Sequence, residues 1–100
     1  MVELTTHEVA ALRASGQSLG VAFQIGKNGV NDGVVAELQN HVAREPLVKV
    51  KFLKSARADL DLPTVAADLA ARARVRLIEV RGGTALYYRA PRHKRAPGEF

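Results

Sequence analysis

Between positions 47 and 52 the chain alternates strictly, with Val48, Val50 and Phe52 apolar and Lys49 and Lys51 charged. Successive side chains of a β-strand point to opposite faces, so this segment predicts a strand with one face in a core and one in water. Upstream, Val34, Leu38 and Val42 recur at i, i+4 and i+8 with Val35 beside them, which predicts a helix over 32–44. Asn31 or Asp32 is a fitting N-cap. Glu45-Pro46 ends the helix, because the residue before proline is pushed out of the helical region. Val21-Ala22-Phe23-Gln24-Ile25 reads as a strand, and its mostly apolar content predicts that it is buried. Asn28-Gly29 between apolar runs is ordinarily a hairpin signal, but the helical spacing that follows makes it part of a strand-to-helix loop.

Three further segments complete the pattern. Thr5 and Glu8 form a capping box, Leu4 and Val9 sit where a hydrophobic staple would join, and Ser15-Gly16 supplies a stop, so a helix is expected over 6–15. Residues 53–61 read as a polar connection. Pro63 suits the first turn of a helix over 63–73 whose apolar face carries Val65, Leu69 and Ala73. Residues 75–81 and 84–89 read as strands joined by the turn Gly82-Gly83. The order α-β-α-β-α-β-β predicts an α/β fold: strand–helix–strand units pair in parallel and the closing hairpin adds an antiparallel pair, giving a four-stranded mixed sheet with packed helices. No internal repeat or low-complexity linker interrupts it.

One hundred residues suffice for one domain, expected here over residues 1–90. Residues 91–100 hold Pro91, Arg92, His93, Lys94, Arg95, Pro97 and Gly98, a composition that cannot build a core and reads as a flexible basic tail. No run of eighteen apolar residues exists, so a membrane span is not expected. The start Met1-Val2-Glu3-Leu4 lacks the basic-then-apolar pattern of a signal peptide. The chain has no cysteine, which removes disulfides and thiolate chemistry and makes a cytoplasmic location the default.

The net charge of +5 is unevenly placed. Residues 1–48 carry −2, and Lys49, Lys51, Lys54 and Arg57 then make a block of +4. Asp59, Asp61 and Asp68 follow, and residues 69–100 carry +6. Clustered positive charge suggests a polyanionic partner, although a merely solvated surface is the plain alternative.

The loop Gly26-Lys27-Asn28-Gly29 lies between a strand end and a helix N-terminus. Such a terminus offers unpaired amides and a partial positive charge, glycines allow close backbone approach, and Lys27 and Asn28 add a charge and a donor. These features suit a phosphate, and a Gly-x-x-Gly loop that clamps a nucleic-acid backbone is a device of KH-type domains. An ordinary turn needing two flexible residues would look the same. Lys27 is followed by Asn28 rather than by Ser or Thr, and Gly26, Gly29 and Gly33 have the wrong spacing, so neither nucleotide-binding glycine motif is present. Lys49 and Lys51 share a sheet face, which Arg81 and Arg89 could extend; alternatively the lysines guard an exposed strand edge. Tyr87 and Tyr88 point to opposite faces, so at most one can stack on bases while the other packs inside. His7, His41 and His93 have neither metal spacing nor an obvious carboxylate partner. No catalytic residue, metal or cofactor is expected.

Three stretches together resemble the CRM domain, a family of bacterial YhbY-type proteins, archaeal single-domain relatives and plant organellar splicing factors. They are the run from Phe23 to Val34 around Gly26-Lys27-Asn28-Gly29, the strand from Leu47 to Phe52, and Gly82-Gly83-Thr84-Ala85-Leu86-Tyr87-Tyr88-Arg89. They occur in the family's order, and the resemblance as a whole spans about residues 4–90; the tail matches no motif of the family. The resemblance implies a fold similar to the C-terminal domain of translation initiation factor three. It also implies non-catalytic RNA binding through Gly26, Lys27, Asn28 and Gly29, with Lys49, Lys51 and Arg89 as basic contacts. The partner it implies is ribosomal RNA or the precursor of the large ribosomal subunit, engaged by a monomer. The competing expectation is a dimeric DNA-binding chromatin protein of the Alba type; a protein–protein adaptor within the ribosome is a third.

Overall fold

The alternation of residues 47–52 sets how the other elements pack. The computed structural model describes residues 4–57 and 60–89; the basic tail expected over 91–100 lies outside them. The elements run α1 (Thr6–Gln17), β1 (Val21–Ile25), α2 (Asp32–Arg44), β2 (Leu47–Phe52), a 3-10 turn (Lys54–Ala56), α3 (Leu62–Ala73), β3 (Arg76–Arg81) and β4 (Thr84–Tyr88). The strands stand in the order β1-β2-β4-β3. The crossover through α2 makes β1 parallel to β2, and the Gly82-Gly83 turn makes β3 and β4 antiparallel; β4 then closes on β2, also antiparallel. The result is the expected α/β architecture with a mixed sheet.

Val48, Val50 and Phe52 of β2 face a core shared with Ala85 and Tyr87 of β4 and Ile25 of β1. Helix α2 brings Leu38 and Val42 onto this face, and α3 brings Leu62, Val65, Ala66 and Leu69. Leu38, Val50 and Leu69 have no exposed surface, and burial of such a side chain contributes about 1.5–3 kcal/mol. Tyr87 buries its ring here and donates its hydroxyl to the Ala66 carbonyl at 2.9 Å. Asn31 caps α2 by accepting from the Val34 amide at 2.9 Å.

Helix α1 packs on the other face. Ala85 and Tyr87 point into the core, so Leu86 between them points away, and α1 lies on it through Gly16. A Cβ on Gly16 would stand 2.4 Å from Leu86 Cδ2 and 3.0 Å from Cδ1. Arg13 reaches Glu79 of β3 at 3.7 Å. We expect Gly16→Val to cost about 1–3 kcal/mol, the range for overpacking, because the Leu86 methyls must leave their place beneath α1 to admit the new side chain. A thermal melt checks this; an unchanged midpoint would show that the helix docks by other contacts.

Several expectations need correction. Helix α1 continues to Gln17, two residues past the anticipated stop, because Gly16 is a packing position inside the helix. The connection 53–61 contains the 3-10 turn with Ala56 buried. Strand β1 is not buried: Val21, Ala22 and Gln24 are exposed. It is an edge strand with β2 as its one neighbour, its register slips between Val21 and Phe23, and only Phe23 and Ile25 turn towards the helices. A second slip, between Leu77 and Glu79 of β3, lets Leu77 and Val80 both reach the core although they are three residues apart. The inserted Ile78 is buried outside the main core cluster.

Candidate nucleic-acid interface

The Gly26-Lys27-Asn28-Gly29 loop stands at the end of β1 with its apex open to solvent. Its ends are joined as a turn by the Gly29 amide donating to the Gly26 carbonyl at 2.9 Å. Gly29 has φ +67, a left-handed conformation that favours glycine. Lys27 and Asn28 are exposed at the apex, and a Cβ on Gly26 would meet nothing within 4 Å. The Gly29 amide is used in the turn, while the Lys27 and Asn28 amides have no backbone partner outside regular elements among the described residues.

One part of the electrostatic expectation changes. Helix α2 begins at Asp32, with Val30 and Asn31 between it and the loop. Its Val34 amide is held by Asn31, and the Asp32 carboxylate occupies its first turn. One terminal amide is therefore taken by a side chain, and a carboxylate stands where an anion would approach. Attraction for an anion at this end rests on the lysine and the loop amides rather than on the helix dipole.

The loop shares its end of the sheet with other cations. The Leu53 amide donates to the Ile25 carbonyl at 3.0 Å, which brings the 3-10 turn against the loop; the Ala56 carbonyl lies 3.5 Å from a Cβ built on Gly29. Lys54 is exposed and Arg57 half-exposed on that turn. On the α1 face, Lys51 stands beside Gln24 on one side and Thr84 on the other, and Thr84 beside Arg81. Adjacent strands lie about 4.8 Å apart, so Gln24, Lys51, Thr84 and Arg81 form one polar row across all four strands. Lys27, Lys51, Lys54 and Arg81 make no ion pair among the described residues. Among the described residues no helix is long and apolar enough to cross a membrane, and no group of three metal-ligating side chains occurs.

The remaining site residues fall as follows. Lys49 occupies the next row with Leu86 and Glu79 and is half-buried beneath the end of α1. Arg89 is elsewhere: its amide donates to the Pro46 carbonyl at 3.0 Å, at the opposite end of β2, roughly 17 Å from Lys51 at about 3.3 Å per residue. Tyr87 is the interior tyrosine; Tyr88 is half-exposed near Arg89. His41 does have a carboxylate neighbour, Glu37 at 3.9 Å, and stacks on Phe23 at 5.1 Å, away from the cationic end. Sequence reading missed Lys54 and Arg57 as neighbours of the loop. Their charge was visible, but nothing in the polar run 53–61 marked the turn that folds them back.

The model of the CRS1 / YhbY (CRM) domain matches residues 4–89, nearly the whole chain. The chain belongs to this family. As a CRM domain it is similar to the protein named Probable RNA-binding protein YqeI of Bacillus subtilis, 30% identical over 86 residues that make up 86% of this chain and 88% of that protein. Its fold is similar to the solution structure of the Staphylococcus aureus protein SAV1595, proposed there to bind RNA. The TM-score is 0.76 at 25% identity, over 93% of this chain and 95% of the other. In this CRM domain the glycine loop, the 3-10 turn and the Lys51 row share one end of the sheet.

Proposed function

We propose that this chain binds RNA without catalysis, holding the phosphate backbone against the Gly26-Lys27-Asn28-Gly29 loop and the neighbouring row of Lys51 and Arg81. The observation that supports it most is the position of Lys51. Lysines on an edge strand can serve only to prevent aggregation, but β2 has neighbours on both sides. An exposed lysine at the centre of a sheet, in line with Arg81 and beside an open glycine loop, has no such structural use. Its value lies in neutralising a polyanion. The names of the two relatives point to RNA, and the resemblance to stand-alone family members points to ribosomal RNA of the large subunit, bound by a monomer in the cytoplasm during assembly. Phosphate contacts would position the molecule, with RNA shape or unpaired bases giving selectivity.

Lys27→Ala is the direct test. We expect weaker binding to structured ribosomal RNA, and a plot of log affinity against log salt whose slope is smaller by about one unit for the lost contact. Unchanged affinity and slope would remove the loop from the interface. Competition between duplex DNA and the same RNA at fixed salt separates this reading from that of a DNA-coating protein.

A further inference from the structure

Where the end of α1 overhangs the sheet, the structure holds an open cleft of about 300 Å³. Gly16 and Leu86 meet at its inner end, and Gln17, Lys49, Glu79, Arg81 and Thr84 complete its lining. The missing side chain at Gly16 brings α1 close over Leu86. The volume is at the small end of the range for ligand sites, roughly 300–1,000 Å³. The cleft opens onto the row of Lys51, Thr84 and Arg81, because Thr84 pairs with both Lys51 and Arg81 while Leu86 pairs with Lys49 and Glu79 one row further in.

We infer that this cleft takes one unpaired guanine base of the RNA whose backbone follows the cationic row. The inference rests on the RNA-binding reading above and extends it from backbone to base. A phosphate fits the cleft poorly, since the Glu79 carboxylate would repel it. The occupant must instead offer donors to Glu79 and acceptors to Lys49 and Arg81, in a body small enough for about 300 Å³. A base has that form. Guanine alone presents two adjacent donors, N1–H and N2–H, able to meet a carboxylate, together with the acceptors O6 and N7 that lysine and arginine recognise. Adenine and cytosine set an acceptor beside their amino group. Uracil sets its single donor between two carbonyls, which the carboxylate repels. Arg13, 3.7 Å from Glu79, positions the carboxylate.

The test uses the full chain and short uridine oligomers carrying one central guanosine, adenosine or cytidine, compared by fluorescence anisotropy at fixed moderate salt. The guanosine oligomer should bind about tenfold more tightly than the others, the lower part of the range for base discrimination. Glu79→Gln should bring that ratio close to one, Arg13→Ala should leave most of it, and Lys27→Ala should weaken all oligomers alike and preserve it. In the unsubstituted protein the Leu86 methyl resonances should shift with the guanosine oligomer and not with the adenosine one, a readout that needs no variant. Binding of all oligomers within about twofold of one another, too small a gap for base readout, overturns the guanine site and leaves RNA binding standing. A preference that survives Glu79→Gln with a folded protein also overturns it. Absence of binding to every oligomer and to structured RNA overturns both readings together.

Discussion

Tyr87→Ala should leave a protein that is largely unfolded on mild heating, whereas Tyr87→Phe should remain folded and slightly weaker. Tyr87 is fully buried between the sheet and α3. Removing a buried aromatic ring costs about 3–5 kcal/mol, against a total stability of roughly 5–15 kcal/mol for a small domain. Tyr87→Phe keeps the ring and loses the bond to the Ala66 carbonyl, about 1 kcal/mol, because that carbonyl lies within α3 and retains its place in the helical ladder. The hydroxyl also gives a pH signature. Burial pushes its pKa far above the ordinary value of 10.0. In the unfolded chain it ionises near that ordinary value, while in the folded protein it stays neutral. The contribution is therefore fully present below pH 10 and is lost as the pH rises from there towards the folded pKa, at up to about 1.4 kcal/mol per pH unit. Urea unfolding of the two proteins at about pH 9 and about pH 11 separates this term, since Tyr87→Phe removes it. Equal alkaline losses in both would show that the hydroxyl is not buried.

The double replacement of Gly26 and Gly29 by Asp should reduce RNA affinity at least about a hundredfold, or about 2.7 kcal/mol. Two carboxylates would then flank Lys27 at the point where a phosphate is held, turning a local attraction into repulsion. The positions are not equivalent. A Cβ at Gly26 meets nothing within 4 Å, so Gly26→Asp tests charge alone. Gly29 has φ +67, so Gly29→Asp adds strain of order 1 kcal/mol or more. Circular dichroism should show a folded protein, and raised salt should narrow the gap to the unsubstituted protein because charges are screened. Unaltered affinity in a folded double variant would place the RNA elsewhere.

The elements are legible in the sequence because local signals agree with tertiary use. The capping box at Thr5 and Glu8 forms as read, with the Thr5 amide donating to Glu8 at 2.8 Å and the Glu8 amide to Thr5 at 3.1 Å. Donation from the Thr5 amide, and secondarily from its hydroxyl, holds the Glu8 carboxyl below its ordinary pKa. Strand β2 and helix α2 have the bounds that their periods predict. What failed depended on which neighbour an element meets. β1 is apolar enough to be buried, yet its exposure follows from being at an edge, and no residue in it declares that. Gly16 looks like a stop because glycine is common after helices; its partner Leu86 is seventy residues away. For the site, the loop and Lys51 could be read locally. Arg81 joins them only because β4 inserts between β2 and β3, and Arg89 lies apart for the same reason.

The pleat of β2 gives its two sets of residues separate duties. Its inward members support stability and its outward members meet the solvent, so the outer lysines could be exchanged for other polar residues with little effect on folding. The same pleat makes a change of length costly. Inserting or deleting one residue within β2 would swap the sets, driving ammonium groups among Leu38 and Leu69 and turning valine and phenylalanine outwards. Composition on one side of this strand can drift, whereas an added residue keeps the faces in place only if a bulge absorbs it, as in β1 and β3.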